Sequence, residues 1–179
     1  MTRRSLICSV AFLLISASFA TAHRLDEYLE ATRLSVAENQ IGLELDLTPG
    51  VDVAPMIFAL INTDHDGRIS PAEGEMYARK VVKEIALALD GHPAKLDLLK
   101  YDFPSFEEMN DGVGTIRIYA RAIWSGTSGE HALTYQNNHQ VNLGVYLVNA
   151  LRPAKREIEI TGQHRDPLQR GMQLSFVIR

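Results

Sequence analysis

The sequence predicts a mainly β protein of the α+β type, an antiparallel β-sandwich of about eight strands that one helix-loop-helix interrupts. Three observations lead to this prediction. Polar and apolar residues alternate over most of the chain after residue 28, which is the period of a half-buried strand. Turn residues separate these segments at the spacing typical of a sandwich. The period becomes that of a helix only between about residues 52 and 85.

The first two strands are predicted on either side of Glu38 and Asn39, where the apolar pattern breaks. Their composition favours a pair of neighbouring strands because the turn between them is short and polar. The alternation is carried by Leu29, Ala31, Leu34, Val36, Ile41, Leu43, Leu45 and Leu47.

The helix-loop-helix is predicted to begin after Pro49 and Gly50, which end the second strand. We expect Asp52 to cap the first helix and Pro55 to lie in its first turn. The second helix begins at Ser70, which has a proline next to it and Glu73 three residues on, the pattern of a capping box. The predicted buried faces are Val53, Met56, Ile57, Leu60 and Ile61 for the first helix, and Tyr77, Ala78, Val81, Val82 and Ile85 for the second.

Strands are predicted again after the second helix. Asp90 and Gly91 indicate a hairpin turn. Residues 96–103 are predicted as the strand that leads away from this turn, and residues 104–114 are predicted as a loop. The remaining strands are predicted over residues 115–124, 133–135, 141–148, 158–160 and 174–178. We expect one domain over residues 23–179, because no repeat, low-complexity tract or linker divides this part of the sequence.

Residues 1–22 have the pattern of a secretory signal peptide. Arg3 and Arg4 precede an apolar run, and small residues end at Ala22. Cleavage there predicts a periplasmic or secreted protein with no membrane span, since the apolar run of about 14 residues is short of the ~20 that a spanning helix needs. An uncleaved anchor is the alternative. The arginine pair also occurs in twin-arginine signals, so the export route stays open.

Composition excludes several functions. The chain has 18 basic and 22 acidic residues without long runs of either sign, so we expect no nucleic-acid partner. Cys8 is the single cysteine and lies in the predicted signal peptide, so the exported chain has no thiol. Because the sequence has none of the common nucleophile, zinc-protease or phosphate-loop motifs, we do not expect an enzyme.

Residues 62–73 carry oxygen-bearing side chains at alternate positions around Gly67, which permits a sharp bend. Calcium prefers six to eight oxygen ligands, so this pattern favours a calcium site. The stretch resembles the calcium loop of EF-hand proteins. The resemblance implies side-chain ligands from Asn62, Asp64, Asp66, Ser70 and Glu73, with the backbone carbonyl of Arg68 as a further ligand.

Two departures from the EF-hand pattern weaken the expected site. Asn62 stands where the family has aspartate, which removes one carboxylate, and the sequence contains a single loop where the family pairs two. We expect calcium to bind with a dissociation constant of about 10⁻⁴ to 10⁻³ M. The alternative is a loop that keeps its fold through the capping box and aspartate turns without holding metal.

A transition-metal site is the second hypothesis. Cleavage after Ala22 places His23 at the new N-terminus, where the amine and the imidazole together can chelate nickel, cobalt or copper ions. The other histidines show no ligand spacing and are predicted to be exposed loop residues. They are His65, His92, His131, His139 and His164.

The order of features over residues 22–115 resembles the extracytoplasmic domains of bacterial nickel/cobalt transporter-like proteins. Ala22 and His23 follow the signal peptide as they do there, and the Leu89-Asp90-Gly91 hairpin matches. The membrane part of that family has no counterpart in this sequence. The resemblance implies an exported relative whose partner is a membrane transporter or another periplasmic protein. We therefore expect a non-enzymatic calcium-binding module whose helix-loop-helix supports a protein-interaction surface, with transition-metal delivery as the alternative.

Overall fold

The computed structural model describes residues 26–179, so the predicted signal peptide and His23 lie outside the described residues. Within residues 26–179 the protein is mainly β, with two sheets of five strands each. The predicted fold class is confirmed at this level. No helix in this part of the chain is long and apolar enough to cross a membrane.

The described residues form ten strands and three helices. The strands are β1 (Tyr28–Ala37), β2 (Gln40–Pro49), β3 (Ile85–Leu89), β4 (His92–Pro93), β5 (Asp97–Asp102), β6 (Ile116–Ile123), β7 (Gly129–Asn137), β8 (Gly144–Ala150), β9 (Ile158–Arg165) and β10 (Gly171–Ile178). The helices are α1 (Ala54–Ile61), α2 (Pro71–Glu84) and α3 (Phe106–Asn110).

The first sheet has the strand order β5-β6-β2-β1-β8. β1 and β2 form the predicted hairpin, but β8 pairs with β1 in parallel, with Tyr28 opposite Gly144. The prediction of an entirely antiparallel arrangement is wrong at this edge. β8 follows a strand of the other sheet, so no tight turn imposes an antiparallel direction on it.

The second sheet has the order β4-β3-β7-β10-β9 and its neighbouring strands are all antiparallel. The predicted hairpin at Asp90 and Gly91 is present, and both residues have positive φ, 50° and 79°. Its second arm is short because β4 contributes two residues before the chain crosses to β5 in the first sheet.

Helix α1 differs from its prediction in its cap and its buried face. The N-cap is Val53 rather than Asp52. Met56 and Leu60 are about half exposed, because the buried stripe runs one position later along the helix. That stripe comprises Ala54, Ile57, Phe58 and Ile61.

Helix α2 confirms its prediction, with a capping box at Ser70 and the expected buried residues. Helix α3 lies inside the segment predicted as a loop. It begins with a second capping box, in which Ser105 and Glu108 bond each other reciprocally. This Ser-x-x-Glu pattern is present in the sequence, but the segment after it is too short and has too few apolar residues to indicate a helix.

One hydrophobic core cluster joins both sheets and the helices. Leu45 and Ile118 enter it from the first sheet, Leu133 and Phe176 from the second, and Val81 from α2. Burial of this shared surface is the main driving force for the fold, and it holds α1 and α2 at fixed positions. The segment between these helices therefore has two anchored ends.

Candidate functional site

Residues 62–73 connect α1 to α2 and form the candidate site. At the start of the segment, the backbone N–H of Asn62 donates to the carbonyl of Phe58 and ends α1 (2.8 Å). At its far end Ser70 is the N-cap of α2. The side chains of Ile61 on α1 and Tyr77 on α2 are buried in the core. The two helices that flank the loop are therefore held in place.

The Glu73 carboxylate links the two ends of this loop. Its Oε1 accepts hydrogen bonds from Thr63 N (2.6 Å), Thr63 Oγ1 (3.0 Å) and Asp64 N (3.2 Å). Its Oε2 accepts from Ser70 N (2.9 Å) and Ser70 Oγ (2.8 Å). We name this set of bonds the Glu73 clasp. One carboxylate thus links Thr63 and Ser70, at the two ends of the loop, which are seven positions apart in the sequence.

The clasp keeps Glu73 ionised. Hydrogen bonds from the backbone and hydroxyl of Ser70, together with the backbone N–H groups of Asp64 and Thr63, lower the Glu73 pKa to about 2 against an opposing effect of desolvation. Such bonds favour the charged form because a carboxylate is a stronger acceptor than a carboxylic acid. The loop therefore presents a permanent negative charge at the N-terminus of α2, where the helix dipole also favours it.

Two aspartates shape the middle of the loop. Asp64 Oδ1 accepts from Asp66 N (3.1 Å), and Asp66 Oδ1 accepts from Arg68 N (2.7 Å). The backbone passes through positive φ at His65 (60°) and Gly67 (84°). Glycine at the second of these positions avoids the strain that a side chain imposes there. These bonds form the sharp bend that the sequence predicts.

Asn62 contains an unusual buried oxygen. The residue is 5% exposed, and its Oδ1 has no hydrogen-bond partner among residues 26–179. A buried amide oxygen without a partner costs about 1–3 kcal/mol. Asn62 immediately precedes Thr63, whose N–H donates to the Glu73 carboxylate, so Asn62 adjoins the segment that the Glu73 clasp closes. An oxygen of this type is a suitable ligand for a hard cation.

The structure brings together some of the predicted ligands but not all. Glu73 and Ser70 are in contact, whereas the side chains of Asp64 and Asp66 bond to the loop backbone. Across the described residues, no group of three or more His, Cys, Asp or Glu side chains is arranged to hold a metal ion. Thr63, which the sequence did not single out, supplies two of the bonds to Glu73.

Two predicted exposed histidines are buried or bonded. His139 is fully buried, and its ring contacts Glu84 and Tyr77. His131 lies between Asp90 and the carbonyl of Thr127, and the hydrogen bond with Asp90 raises its pKa. The prediction that these are exposed loop residues is wrong. The carboxylate partners of these histidines, Glu84 and Asp90, are distant in sequence, so the local pattern did not indicate them.

A buried carboxyl group was also missed. The inward-facing residues of β1 begin with Tyr28, Glu30 and Thr32 and continue with Leu34 and Val36. The last two were assigned to the apolar pattern, and extending their alternation towards the N-terminus would have placed Glu30 inside. Leu29 and Ala31, which carried the apolar pattern at this end, lie on the outer face.

Comparison of the chain with family models, with curated proteins and with solved structures finds no match. The interpretation of this loop therefore depends on its residues and their geometry.

Ser70→Ala is expected to lower the free energy of unfolding by about 1 kcal/mol, within the range of 0.5–2 kcal/mol typical of N-cap loss. The substitution removes the acceptor of Glu73 N and one donor to Glu73 Oε2. Urea unfolding measures the change. Ser175→Ala, at an exposed position of β10, is the control and should change stability by less than about 0.5 kcal/mol. Equal losses in both variants would contradict a capping role for Ser70.

Proposed function

We propose that residues 62–73 bind a calcium ion and that the ion stiffens the helix-loop-helix of an exported, non-enzymatic β-sandwich domain. The ligands are the side chains of Asn62, Asp64, Asp66, Ser70 and Glu73 and the backbone carbonyl of Arg68. The stiffened segment supports a protein-interaction surface, whose partner is a membrane transporter or another periplasmic protein.

The buried Asn62 oxygen is the observation that carries this proposal. Its lack of a partner within the described residues leaves a free-energy cost that a bound cation would remove. Thr63, the next residue in the chain, donates to the ionised Glu73 carboxylate, and Asp64 and Asp66 add two further carboxyl groups to the same loop. All of these are hard oxygen donors, which suit calcium better than a transition metal.

The Glu73 clasp predicts a modest affinity. To bind an ion with both carboxylate oxygens, Glu73 must exchange hydrogen bonds with Thr63, Asp64 and Ser70 for metal contacts. The ion therefore replaces existing interactions rather than filling an empty site. A dissociation constant of about 10⁻⁴ to 10⁻³ M, the range of extracellular calcium modules, agrees with this competition.

Calorimetric titration of residues 23–179 with calcium tests the proposal. We expect binding in the stated range and a rise in melting temperature, since free calcium at ~10 times the dissociation constant adds about 1.4 kcal/mol of stability. Glu73→Gln should abolish most of the calcium-dependent rise because it removes the charged ligand. Asp66→Asn, at an exposed loop position, should weaken it without affecting the clasp.

Glu75→Gln is the matched control for these variants. Glu75 is one turn from the loop on the same helix, and its carboxylate pairs with Arg79 rather than with the loop. Its calcium response should equal that of the unsubstituted protein. Absence of binding heat up to several millimolar calcium, with the far-ultraviolet circular dichroism of a folded protein, would refute the proposal.

A further inference from the structure

A buried set of polar side chains lies between the two sheets and includes no residue of the candidate calcium loop. All of its members are at most 6% exposed. We name it the polar junction, and it consists of Tyr28, Glu30 and Thr32 from β1, Tyr77 from α2, Tyr135 and Asn137 from β7, His139 from the β7–β8 loop, and Tyr146 from β8. The junction thus joins four elements and one loop.

A chain of hydrogen bonds connects the junction to the protein surface. His139 Nδ1 lies 2.5 Å from Glu84 Oε2, His139 Nε2 lies 3.0 Å from the Tyr77 hydroxyl, and this hydroxyl lies 3.1 Å from that of Tyr28. Because a carboxylate accepts, the neutral imidazole carries its proton on Nδ1 and accepts from Tyr77 at Nε2. Tyr28 then donates to Tyr77. Glu84 is one-third exposed and provides contact with solvent.

A second chain of hydrogen bonds joins the two sheets. Asn137 Nδ2 donates to Glu30 Oε2 (2.7 Å), and Asn137 Oδ1 accepts from His139 N (2.8 Å). Thr32 Oγ1 and the Tyr135 hydroxyl bond across the sheets at 2.7 Å. The other oxygen of Glu30, Oε1, is buried and has no donor within the described part of the chain. An ionised Glu30 would therefore be fully buried with one oxygen unsatisfied.

We propose that the polar junction is a proton-controlled latch, which holds α2 and the β7–β8 loop against β1 while Glu30 is protonated and His139 is neutral. Ionisation of Glu30 places an unpaired charge between the sheets, and protonation of His139 removes the acceptor that Tyr77 uses. The hydrogen bond from Asn137 to Glu30 Oε2 survives ionisation, so the group that an ionised Glu30 leaves unsatisfied is its buried Oε1, which has no donor within the described residues.

The electrostatics of the junction agree with this geometry. Burial raises the pKa of Glu30 to about 8, with Asn137 opposing and Glu84 adding to the rise. Its contribution to stability is complete below the ordinary carboxyl value of 4.5 and is lost as the pH rises through about 8. Burial lowers the pKa of His139, against the effect of Glu84, so its contribution is complete above 6.5 and is lost as the pH falls through the lowered pKa.

Four tyrosines of the junction surround Glu30 and His139. Burial raises the pKa of Tyr146 to about 12 and raises those of Tyr28, Tyr77 and Tyr135, so the four phenols stay neutral. The charged groups that act on the junction are Glu84 and Lys80 from α2 and Arg170 from the β9–β10 turn.

Stability at pH 6 and pH 9 in calcium-free buffer tests the latch independently of the calcium proposal. From the Glu30 pKa, we expect the folded-to-unfolded ratio of the unsubstituted protein to fall on the order of 100-fold between these values. Glu30→Gln, which mimics the protonated carboxyl, should remove most of this fall. The control is Glu38→Gln. Glu38 is an exposed carboxylate paired with Lys155, and its substitution should leave the fall in the folded-to-unfolded ratio unchanged. An unchanged fall in Glu30→Gln would refute the latch.

A measurement on the unsubstituted protein covers the case in which Glu30→Gln does not fold. Carbon-13 NMR of the Glu30 side-chain carboxyl should show a midpoint near 8, and a midpoint below about 5 would overturn the proposal. At pH 9 the amides of Asn137 and His139 should lose hydrogen-exchange protection while those of Leu43 and Leu45 keep theirs. Uniform loss across the sheets would show general unfolding and also refute the latch.

Discussion

Phe176→Ala is expected to lower the free energy of unfolding by about 3–5 kcal/mol, the range typical of removing a large buried aromatic ring. Phe176 is fully buried on β10. Its ring lies 5.8 Å from Trp124 and 5.4 Å from His131, measured between centroids. Its removal leaves a cavity within the cluster that both sheets share.

Thermal and urea unfolding measure the effect of Phe176→Ala. The melting temperature should fall by roughly 10 °C for a domain of this size. Phe106→Ala is the matched control, because Phe106 is 40% exposed on α3 and packs against Phe58 at 4.5 Å. We expect a clearly smaller loss in the control. Comparable losses would contradict the placement of Phe176 at the centre of the core.

Gly114→Ala is expected to lower the free energy of unfolding by about 1–3 kcal/mol, the range for adding atoms to a packed site. We expect a loss at the upper end of this range because the backbone must move. A Cβ at Gly114 would lie 2.7 Å from Met109 N and 2.8 Å from the carbonyl carbon of Glu108. The added methyl group pushes α3 outward and withdraws the fully buried Met109 from the core.

Gly162→Ala is the control for this prediction. A Cβ there would meet Ser175 Cβ at 3.6 Å, an ordinary contact, so urea unfolding should show little loss. Hydrogen exchange gives a second measurement, since amides of α3 should lose protection in Gly114→Ala. Normal stability in this variant would show that α3 does not depend on the close approach at Gly114.

The alternation of apolar residues predicted the strands well because a strand needs only one consistent inner face. The regular pattern on β2 is confirmed residue by residue. At the start of β1 local hydrophobicity indicated the wrong face, since Tyr28, Glu30 and Thr32 lie inside and Leu29 outside, although the alternation of Leu34 and Val36 continues through them. Polar residues occupy an inner face only when distant partners satisfy them, and Asn137 and Tyr135 are such partners.

In the candidate site, too, the sequence predicted the features that depend on neighbouring residues and missed those that depend on the tertiary structure. The spacing of residues 62–73 predicted the bend at Gly67 and the capping box of Ser70 and Glu73, both of which depend on neighbours in sequence. It did not predict that Thr63 and Asp64 would also donate to Glu73. Those bonds require α1 and α2 to be held in place by the core, which lies outside the loop.

The sequence by itself determined the features whose causes are local. These are the strand periods, the capping box of α2, the sharp bends and the oxygen-rich composition of the loop, because each depends on residues within a few positions of one another. Only the tertiary structure decided the parallel pairing of β8 and the burial and partners of Glu30 and His139. Those depend on groups about 50 to 120 residues apart, and it is the shared hydrophobic core that brings such groups into contact.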